Sequence, residues 1–313
     1  MRNNESACLI KVVMQMMRMR LNVAAYNLEQ HVKSNQVSRK VLTSLVCASS
    51  AACMVPLAHA GSQLLPGIST GLPLGAPLPP GIYSVTQLNY GWRGSSPTVG
   101  VGVGIPSWLI WSTPWTVAGG RLLLDTVTAV ANVDVKGYHG YTGAGNTYID
   151  AQLKWDLGGG LSAGVQSGVF LPVRNDLTSL GVTRNFYSLM EIAAVTYEHN
   201  GWEFDATGIY GTGKHGSELG ENAAPQWTNF DLTAFKRVGK WELGGIAFGS
   251  DDLTSPVAGY QKQSQVALGA LVGYRIGHDT LQLKASRDVT ETGYTGHETR
   301  VWMNFIVPLW SQK

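Results

Sequence analysis

Apolar and polar residues alternate along residues 147–171, TYIDAQLKWDLGGGLSAGVQSGVFL. From Ile149 to Leu157 every odd position is apolar, and every even position is charged or carries an amide. Successive side chains of an extended strand point to opposite faces, so this pattern predicts a strand with one apolar and one polar face. Gly158 to Gly160 favour a tight reversal before a second strand. The stretch predicts a β-hairpin, which alone fits both a soluble sheet and a membrane barrel.

The same unit recurs along the rest of the chain. We predict twelve strands, most of them near the length of about 9 to 11 residues that a tilted strand needs to cross a bilayer. The predicted strands are 82–91, 106–117, 121–134, 147–157, 160–171, 186–198, 202–212, 227–237, 240–250, 264–275, 279–290 and 298–310.

The connections between these strands alternate in length. Five are tight turns near residues 119, 159, 200, 239 and 277, and between them lie longer connections at 92–105, 135–146, 172–185, 213–226, 251–263 and 291–297. Short periplasmic turns and longer extracellular loops are typical of outer-membrane barrels, whereas a soluble sandwich has no reason to gather every long loop at one end. We therefore predict an all-β, antiparallel up-and-down transmembrane barrel over residues 82–313.

Charged residues share one face in most predicted strands. A charge facing lipid costs about 2 to 4 kcal/mol at mid-membrane, so these side chains should face the lumen. The candidate lumen-lining residues are Asp150, Lys154, Asp156, Glu203, Asp205, Asp231, Lys284, Asp288 and Arg300. They form either a selectivity path for solutes or a salt-bridge network that fills a narrow barrel.

Two features qualify this pattern of faces. In strand 121–134 Asp125 shares its face with Leu123 and Val127, which predicts a bulge or a shifted register, and strand 82–91 has no clear face. Aromatic residues cluster near strand ends, as expected of the girdles at the two membrane interfaces. These are Trp92, Trp115, Trp155, Trp202, Tyr210, Trp227, Trp241 and Trp310.

Residues 1–60 have the pattern of a secretory signal. Ser38-Arg39-Lys40 precedes a short apolar stretch, and Ala58-His59-Ala60 is an A-x-A cleavage signal before Gly61. The charged region is unusually long, so a later methionine is an alternative start. Residues 61–81 are punctuated by proline and glycine, and they form either an extended periplasmic lead-in or a plug inside the barrel.

Composition removes several function classes. Cysteines 8, 47 and 53 all precede Gly61, so the predicted mature chain has no disulfide, thiolate metal site or cysteine nucleophile. The net charge of +2 and the 14% of charged residues give no electrostatic reason to expect nucleic acid as a partner. The glycine tract 98–106 lacks the following helix of a dinucleotide loop, so it is a flexible loop or the start of a strand. No cofactor and no metal are expected.

The histidines allow a weak catalytic alternative. A lipid hydrolase of the outer membrane needs a serine, a histidine and an acid or amide side by side on the outer face. On the predicted topology the histidines lie in turns and loops instead, and no strand carries an H-x-S or G-x-S-x-G pattern. They are His139, His199, His215, His278 and His297. We therefore expect no enzyme, and solvated loop histidines rather than metal ligands.

Several tracts in order resemble one known family. They are PPGIY at 79–83, YIDAQLKW at 148–155, GVFLPV at 168–173, the tract 185–210, LGALVGY at 268–274 and FIVPLW at 305–310. Together they resemble the outer-membrane proteins of the putative MetA-pathway of phenol degradation family. The resemblance implies a monomeric barrel, often of twelve strands, that admits hydrophobic or aromatic compounds. Trp310 is followed by Ser311-Gln312-Lys313 rather than ending the chain, and Pro172-Val173-Arg174 replaces a Pro-Thr-Gly of the family.

The sequence thus predicts a barrel in the outer membrane of a Gram-negative bacterium, with membrane lipids and the outer-membrane assembly machinery as its partners. Its expected function is uptake of small hydrophobic or aromatic solutes by passive or facilitated diffusion. A structural or surface-interaction barrel without transport is the alternative, and a lipid hydrolase is a second one.

Overall fold

The computed structural model describes residues 61–95, 97–219 and 222–311, so the predicted signal peptide and start codon lie outside the described residues. The strands are β1 (Gly81–Arg93), β2 (Val99–Val117), β3 (Gly120–Val127), β4 (Val130–Val135), β5 (Tyr141–Ala144), β6 (Tyr148–Gly158), β7 (Leu161–Phe170), β8 (Ser188–His199), β9 (Trp202–Gly211), β10 (Trp227–Val238), β11 (Trp241–Asp252), β12 (Ser264–Ile276), β13 (Asp279–Thr292) and β14 (Glu298–Ser311). One short helix, α1 (Asp176–Ser179), lies between β7 and β8.

The strands form one closed antiparallel ring with twelve positions. β1 pairs with β14 along its whole length and with β2 on its other edge, so no edge strand remains in the ring. β3 and β4 share one position, because β3 pairs with the second half of β2 and β4 with its first half. β4 and β5 form a small hairpin, which extends the wall along the barrel axis beyond the ends of β3 and β6. The predicted twelve-stranded barrel is confirmed.

The predicted alternation of connections is also present. Five two-residue turns follow β2, β6, β8, β10 and β12, and they lie at one end of the barrel, which we call the turn end. At Asn200-Gly201 both residues have positive φ, 51° and 79°, which suits the twist of a two-residue hairpin. The other end carries the six longer connections and is called the loop end.

The two faces of the wall differ as predicted. On β9 Trp202, Phe204 and Ala206 are exposed on the outside, while Glu203 and Asp205 are buried inside. Several charged side chains on strands depart from the rule and face outward, among them Asp134, Glu191, Lys236, Asp251 and Arg287. Glu191 and Lys236 lie near strand ends, where water is close. Arg287 lies further from a strand end, but its long side chain can extend to the membrane–water interface.

The structure refines two details of the sequence prediction. Opposite β6, β3 keeps a regular ladder in which Leu123 and Asp125 both point inward. The predicted irregularity of strand 121–134 is found elsewhere, since the β2–β3 register shifts between Ser112 and Thr116 and the strand is interrupted between β3 and β4. The inner wall is simply mixed in polarity. Trp227 is not in an interfacial girdle, because its position on β10 faces inward, where it is almost fully buried.

The glycine tract is strand from Val99 onward. Val99 to Gly104 pair with β4 on one side and with β1 on the other, so the connection between β1 and β2 is much shorter than predicted. Within the described residues, no helix is long and apolar enough to cross a membrane.

Candidate functional site in the barrel lumen

Residues 61–80, which we call the lumen segment, run through the inside of the ring. The segment bonds to inward-facing side chains of β1, β8, β10, β13 and β14, which lie on different sides of the barrel. Leu65, Ile68, Leu72 and Leu74 are all buried. A chain that contacts opposite walls in this way must occupy the lumen itself.

The lumen segment passes from one end of the barrel to the other. Its first residue, Gly61, contacts Asp252 at the loop end of β11. Further along, Gly75 N donates to Thr196 Oγ1 (3.2 Å), and Ser112 Oγ donates to Leu78 O (2.8 Å), both near the turn end. The segment then enters β1 at the turn end through Gly81. It therefore spans the lumen lengthwise.

Asp231 is the main polar anchor in the middle of the segment. Its carboxylate accepts from Gly67 N (2.9 Å), Ser69 N (3.0 Å) and Ser69 Oγ (2.7 Å). Two positions further along β10, Thr233 Oγ1 accepts from Gly71 N at 2.8 Å. Backbone N–H groups in a segment without regular structure need such partners when buried, and β10 supplies them.

Side chains of β13 and β1 bind carbonyl groups of the same stretch of the segment. Lys284 Nζ donates to Thr70 O (2.7 Å) and to Thr70 Oγ1 (2.8 Å). Gln282 Nε2 donates to Gly71 O (2.9 Å), and Gln87 Nε2 donates to Ile68 O (2.9 Å). Acceptors on β10 and donors on β13 and β1 thus bind the N–H and the C=O groups of the segment's backbone.

Apolar contacts complete this attachment. Ile68, Leu72 and Leu74 belong to one buried cluster that also holds Phe248 and Trp302 of the wall. Two glycines are required by the fit, since both have positive φ and no room for a side chain. A Cβ on Gly67 would lie 2.6 Å from Phe248 Cδ1, and one on Gly71 would lie 2.5 Å from Gln282 Oε1.

Eight of the nine candidate lumen-lining residues are buried. They are Asp150, Lys154, Glu203, Asp205, Asp231, Lys284, Asp288 and Arg300. The ninth, Asp156, is exposed and accepts from Gly158 N (2.9 Å) in the turn after β6. Only Asp231 and Lys284 of this set have hydrogen bonds to the lumen segment in the described structure.

The other buried charges pair among themselves at different depths. At the loop end Arg93 contacts Asp288 (3.0 Å), and Arg300 Nε contacts Glu298 (2.7 Å). At the turn end Arg237 contacts Glu203. These groups are spread along the barrel and do not form a single ring.

A third polar group lies on β3 and β6. Asp125 Oδ2 accepts from Trp108 Nε1 (2.7 Å) and from Gln152 Nε2 (2.5 Å). The same Gln152 amide donates to Asp150 at 3.2 Å, so it bridges the two carboxyl groups. Asp125 was not among the predicted lining residues, because its apolar neighbours on the same face hid it.

Two apolar clusters line the inside of the loop end. Sequence reasoning missed both, since it used charged residues to find the inner face. The first cluster contains Tyr148, Phe170, Met190, Ile192, Ile209 and Trp227. The second joins β2 and β4 to α1 and contains Val99, Val101, Ala131, Val133 and Leu177. Apolar and aromatic side chains thus cover part of the inner wall at the loop end, beside the buried ion pairs of Arg93 and Arg300. The middle of the lumen combines the polar contacts of Asp231 and Lys284 with the apolar cluster around the segment.

Among the described residues, the outer wall carries no comparable cluster of polar and titratable side chains. Ser167 Oγ donates to Glu191 Oε1 (2.8 Å) on the outer face. The histidines lie where the topology placed them, His199 and His278 at the turn end and the other three in the connections of the loop end. No group of three metal-ligating side chains occurs in the part of the chain described.

One solved structure shares this architecture. The crystal structure of an outer membrane channel from Pseudomonas putida F1 has a TM-score of 0.62 at 16% sequence identity, covering 78% of this chain and 98% of that one. The NanC porin is less similar, with a TM-score of 0.44 at 8% identity, covering 70% and 98%. The translocator domain of the autotransporter NalP from Neisseria meningitidis gives 0.42 at 10% identity, covering 72% and 86%.

The first of these structures gives the chain the fold of an outer-membrane barrel. No curated protein matches the sequence at a significant level. A family model, described as "Putative MetA-pathway of phenol degradation", matches residues 85–305, which is most of the barrel. The chain belongs to this family.

Proposed function

We propose that this protein is an outer-membrane channel that takes up small hydrophobic or aromatic compounds by passive or facilitated diffusion. The observation that carries the proposal is the apolar and aromatic cluster that β6 to β10 form on the inner wall at the loop end. The loop end of an outer-membrane barrel faces the cell surface. A pore for polar solutes gains nothing from burying Trp227, Phe170 and Ile209 along its mouth. An apolar solute leaving water gains about 25 cal/mol for each Å² that it buries there.

The lumen segment sets how a solute would pass beyond the mouth. It is bound by hydrogen bonds to side chains rather than by a strand ladder, so it is less firmly held than the wall. Several inward polar atoms, Asp205 Oδ2, Asn229 Oδ1 and Asn304 Oδ1, have no protein partner among the described residues. Because buried polar atoms are normally paired, we expect water to reach them beside the segment. A solute then moves through the hydrated space beside the segment, or it passes when the segment shifts.

The charged lining residues serve mainly to hold the structure together in this proposal. Asp231 and Lys284 bind the lumen segment, whereas Arg93 and Arg300 pair with Asp288 and Glu298. They act as anchors and internal pairs rather than as a selectivity ring. The ring closes within one chain, so the proposal needs only a monomer in contact with membrane lipids. Assembly by the general outer-membrane machinery is part of the same proposal.

The test is uptake by the purified protein in liposomes. We expect entry of a monoaromatic such as phenol to exceed that of a sugar of similar size. Ile209→Asn should lower aromatic entry, because it places an amide in the apolar cluster of the inner wall. Thr207→Asn is the matched control, since it changes an inward residue of β9 that is already polar. Equal loss in both variants, or no selective entry by the wild type, would contradict the proposal.

A structural or surface-interaction role without transport is the alternative. The observation in its favour is the lumen segment, which fills the interior along its length. Absence of both ion conductance and aromatic entry, in wild type and in a variant with the segment loosened, would support this alternative. We assign no catalytic step to the chain.

A further inference from the structure

The first described residue is held at both of its backbone groups. Gly61 N donates to Asp252 Oδ1 at 2.6 Å, and the Arg184 guanidinium donates to Gly61 O. Asp252 and Arg184 are both buried at the loop end, only 1% and 3% exposed. Two opposite charges are thus directed at the two ends of one glycine.

The Asp252 carboxylate is itself fixed in place. Its second oxygen, Oδ2, accepts from Tyr260 OH (2.5 Å) and from Gln263 N (3.0 Å). Burial and the adjacent Asp252 carboxylate raise the pKa of Tyr260, so this phenol remains a donor at neutral pH. Burial lowers the pKa of Arg184 to about 10, and Asp252 opposes this shift, so the guanidinium is still charged. The free lone pairs of Oδ1 point to Gly61.

The site accepts only glycine. A Cβ at position 61 would lie 2.0 Å from Pro225 Cγ and 2.5 Å from Pro225 Cδ. Gly61 is also the residue that directly follows the A-x-A signal Ala58-His59-Ala60. The predicted cleavage site therefore lies directly before the glycine that fits this site.

We propose that Asp252, held in place by Tyr260 and Gln263, binds the α-ammonium group of Gly61 after signal cleavage, while Arg184 binds the Gly61 carbonyl oxygen. Signal peptidase hydrolyses the bond between Ala60 and Gly61, and water supplies the hydroxyl to the Ala60 carbonyl carbon and a proton to the Gly61 nitrogen. A second proton from solvent gives the ammonium group, which pairs with the buried carboxylate. An ordinary α-amino group has a pKa of about 8, so most of it is charged at neutral pH.

The consequence is a lumen segment fixed at both ends. Its turn end continues covalently into β1, and its loop end is fixed by an ion pair that only the processed chain has. Signal removal would thus do more than release the protein from the inner membrane, since it creates the charge that anchors the segment. This inference does not depend on what crosses the barrel.

The test uses the whole precursor, exported in cells and purified from outer membranes. Intact mass should place the mature N-terminus at Gly61. A Ser62→Cys variant then gives a single thiol next to the site, since the chain after Gly61 has no cysteine. Its rate of reaction with a water-soluble maleimide reports how often the end of the segment leaves its site.

Adding Asp252→Asn should raise the labelling rate about tenfold or more, because it removes the charge of a charge-assisted bond. Asp251→Asn is the matched control, since that carboxylate is the exposed neighbour on the same strand. It should leave the rate unchanged.

A second variant leaves every wall side chain intact. One extra glycine inserted between Ala60 and Gly61 moves the ammonium group about 3.5 Å along the chain, and it should raise the labelling rate as Asp252→Asn does. A mature N-terminus at another residue would overturn the proposal. So would a labelling rate that neither Asp252→Asn nor the inserted glycine changes.

Discussion

Asp231 holds the middle of the lumen segment, and its replacement should release the segment. Asp231→Ala removes the acceptor of three hydrogen bonds, from Gly67 N, Ser69 N and Ser69 Oγ. It also leaves the two backbone donors without a partner in a buried site, which is costly in itself. The wall should remain folded, because the backbone ladder of β10 with β9 and β11 does not involve this side chain.

The size of the effect follows from the contacts. A hydrogen bond to a charged group contributes a net of about 1.5 to 3 kcal/mol. Three such bonds to one carboxylate are not additive, and the burial of that carboxylate costs several kcal/mol in the wild type. We expect a net loss of about 3 kcal/mol in segment binding, which corresponds to about a 150-fold rise in the ratio of released to bound segment.

The assay is single-channel recording in planar bilayers. The Asp231→Ala protein should spend far more time than the wild type in a state of higher conductance. Asp231→Asn should lie between them, because it keeps one acceptor oxygen. Asp134→Ala is the control, since Asp134 is exposed on β4 and makes no hydrogen bond to the segment. If Asp231→Ala and Asp134→Ala conduct alike while both still migrate as folded barrels on unheated gels, the anchoring role of Asp231 is refuted.

Three further predictions concern stability. Lys284→Met should lower the free energy of unfolding in urea by about 1 to 3 kcal/mol, because the two acceptors on Thr70 lose their donor; Lys284→Gln should recover part of it. Arg300→Leu should cost about 3 kcal/mol in the same assay, since Glu298 loses a close partner in a buried site, and an unchanged midpoint would show the cluster to be redundant. Gly211→Ala should destabilise the barrel by about 1 to 3 kcal/mol, because its Cβ would lie 2.0 Å from Trp227 Cε2; Gly208→Ala on the same strand, with its nearest contact at 4.0 Å, should be neutral.

The wall of the barrel could be predicted from sequence because two simple periods determine it. Residues such as Phe204 and Asp205 alternate with the pleat, and turns such as Asn200-Gly201 mark the ends of strands. The start of β2 could not be found this way, since Val99 to Gly104 alternate valine with glycine and carry no polar face. Such a stretch fits a loop as well as a strand.

The interior was much harder to predict. The lumen segment has no period, and its proline and glycine residues reveal only that it is irregular. Its contacts with Asp231 and Lys284 join residues far apart in sequence, so no local pattern reports them. Trp227 shows the same limit, because an aromatic residue near a strand end suits either the lipid interface or the lumen. Trp227 and Asp231 are both at odd positions of β10 and so share the inward face, and only this relation places Trp227 in the lumen.

A crosslinking test examines the central claim, a barrel with its polar face inward and residues 61–80 inside. The chain after Gly61 has no cysteine, so pairs of cysteines can be introduced without interference. Ser69→Cys with Asp231→Cys should be joined by a short bifunctional thiol reagent in intact cells, since the Ser69 hydroxyl donates to Asp231 Oδ2 at 2.7 Å and the two side chains are neighbours. Ser69→Cys with Phe230→Cys should not be joined, because Phe230 faces outward on the same strand. Crosslinking of the second pair and not of the first would show that the segment or the wall is placed on the wrong side.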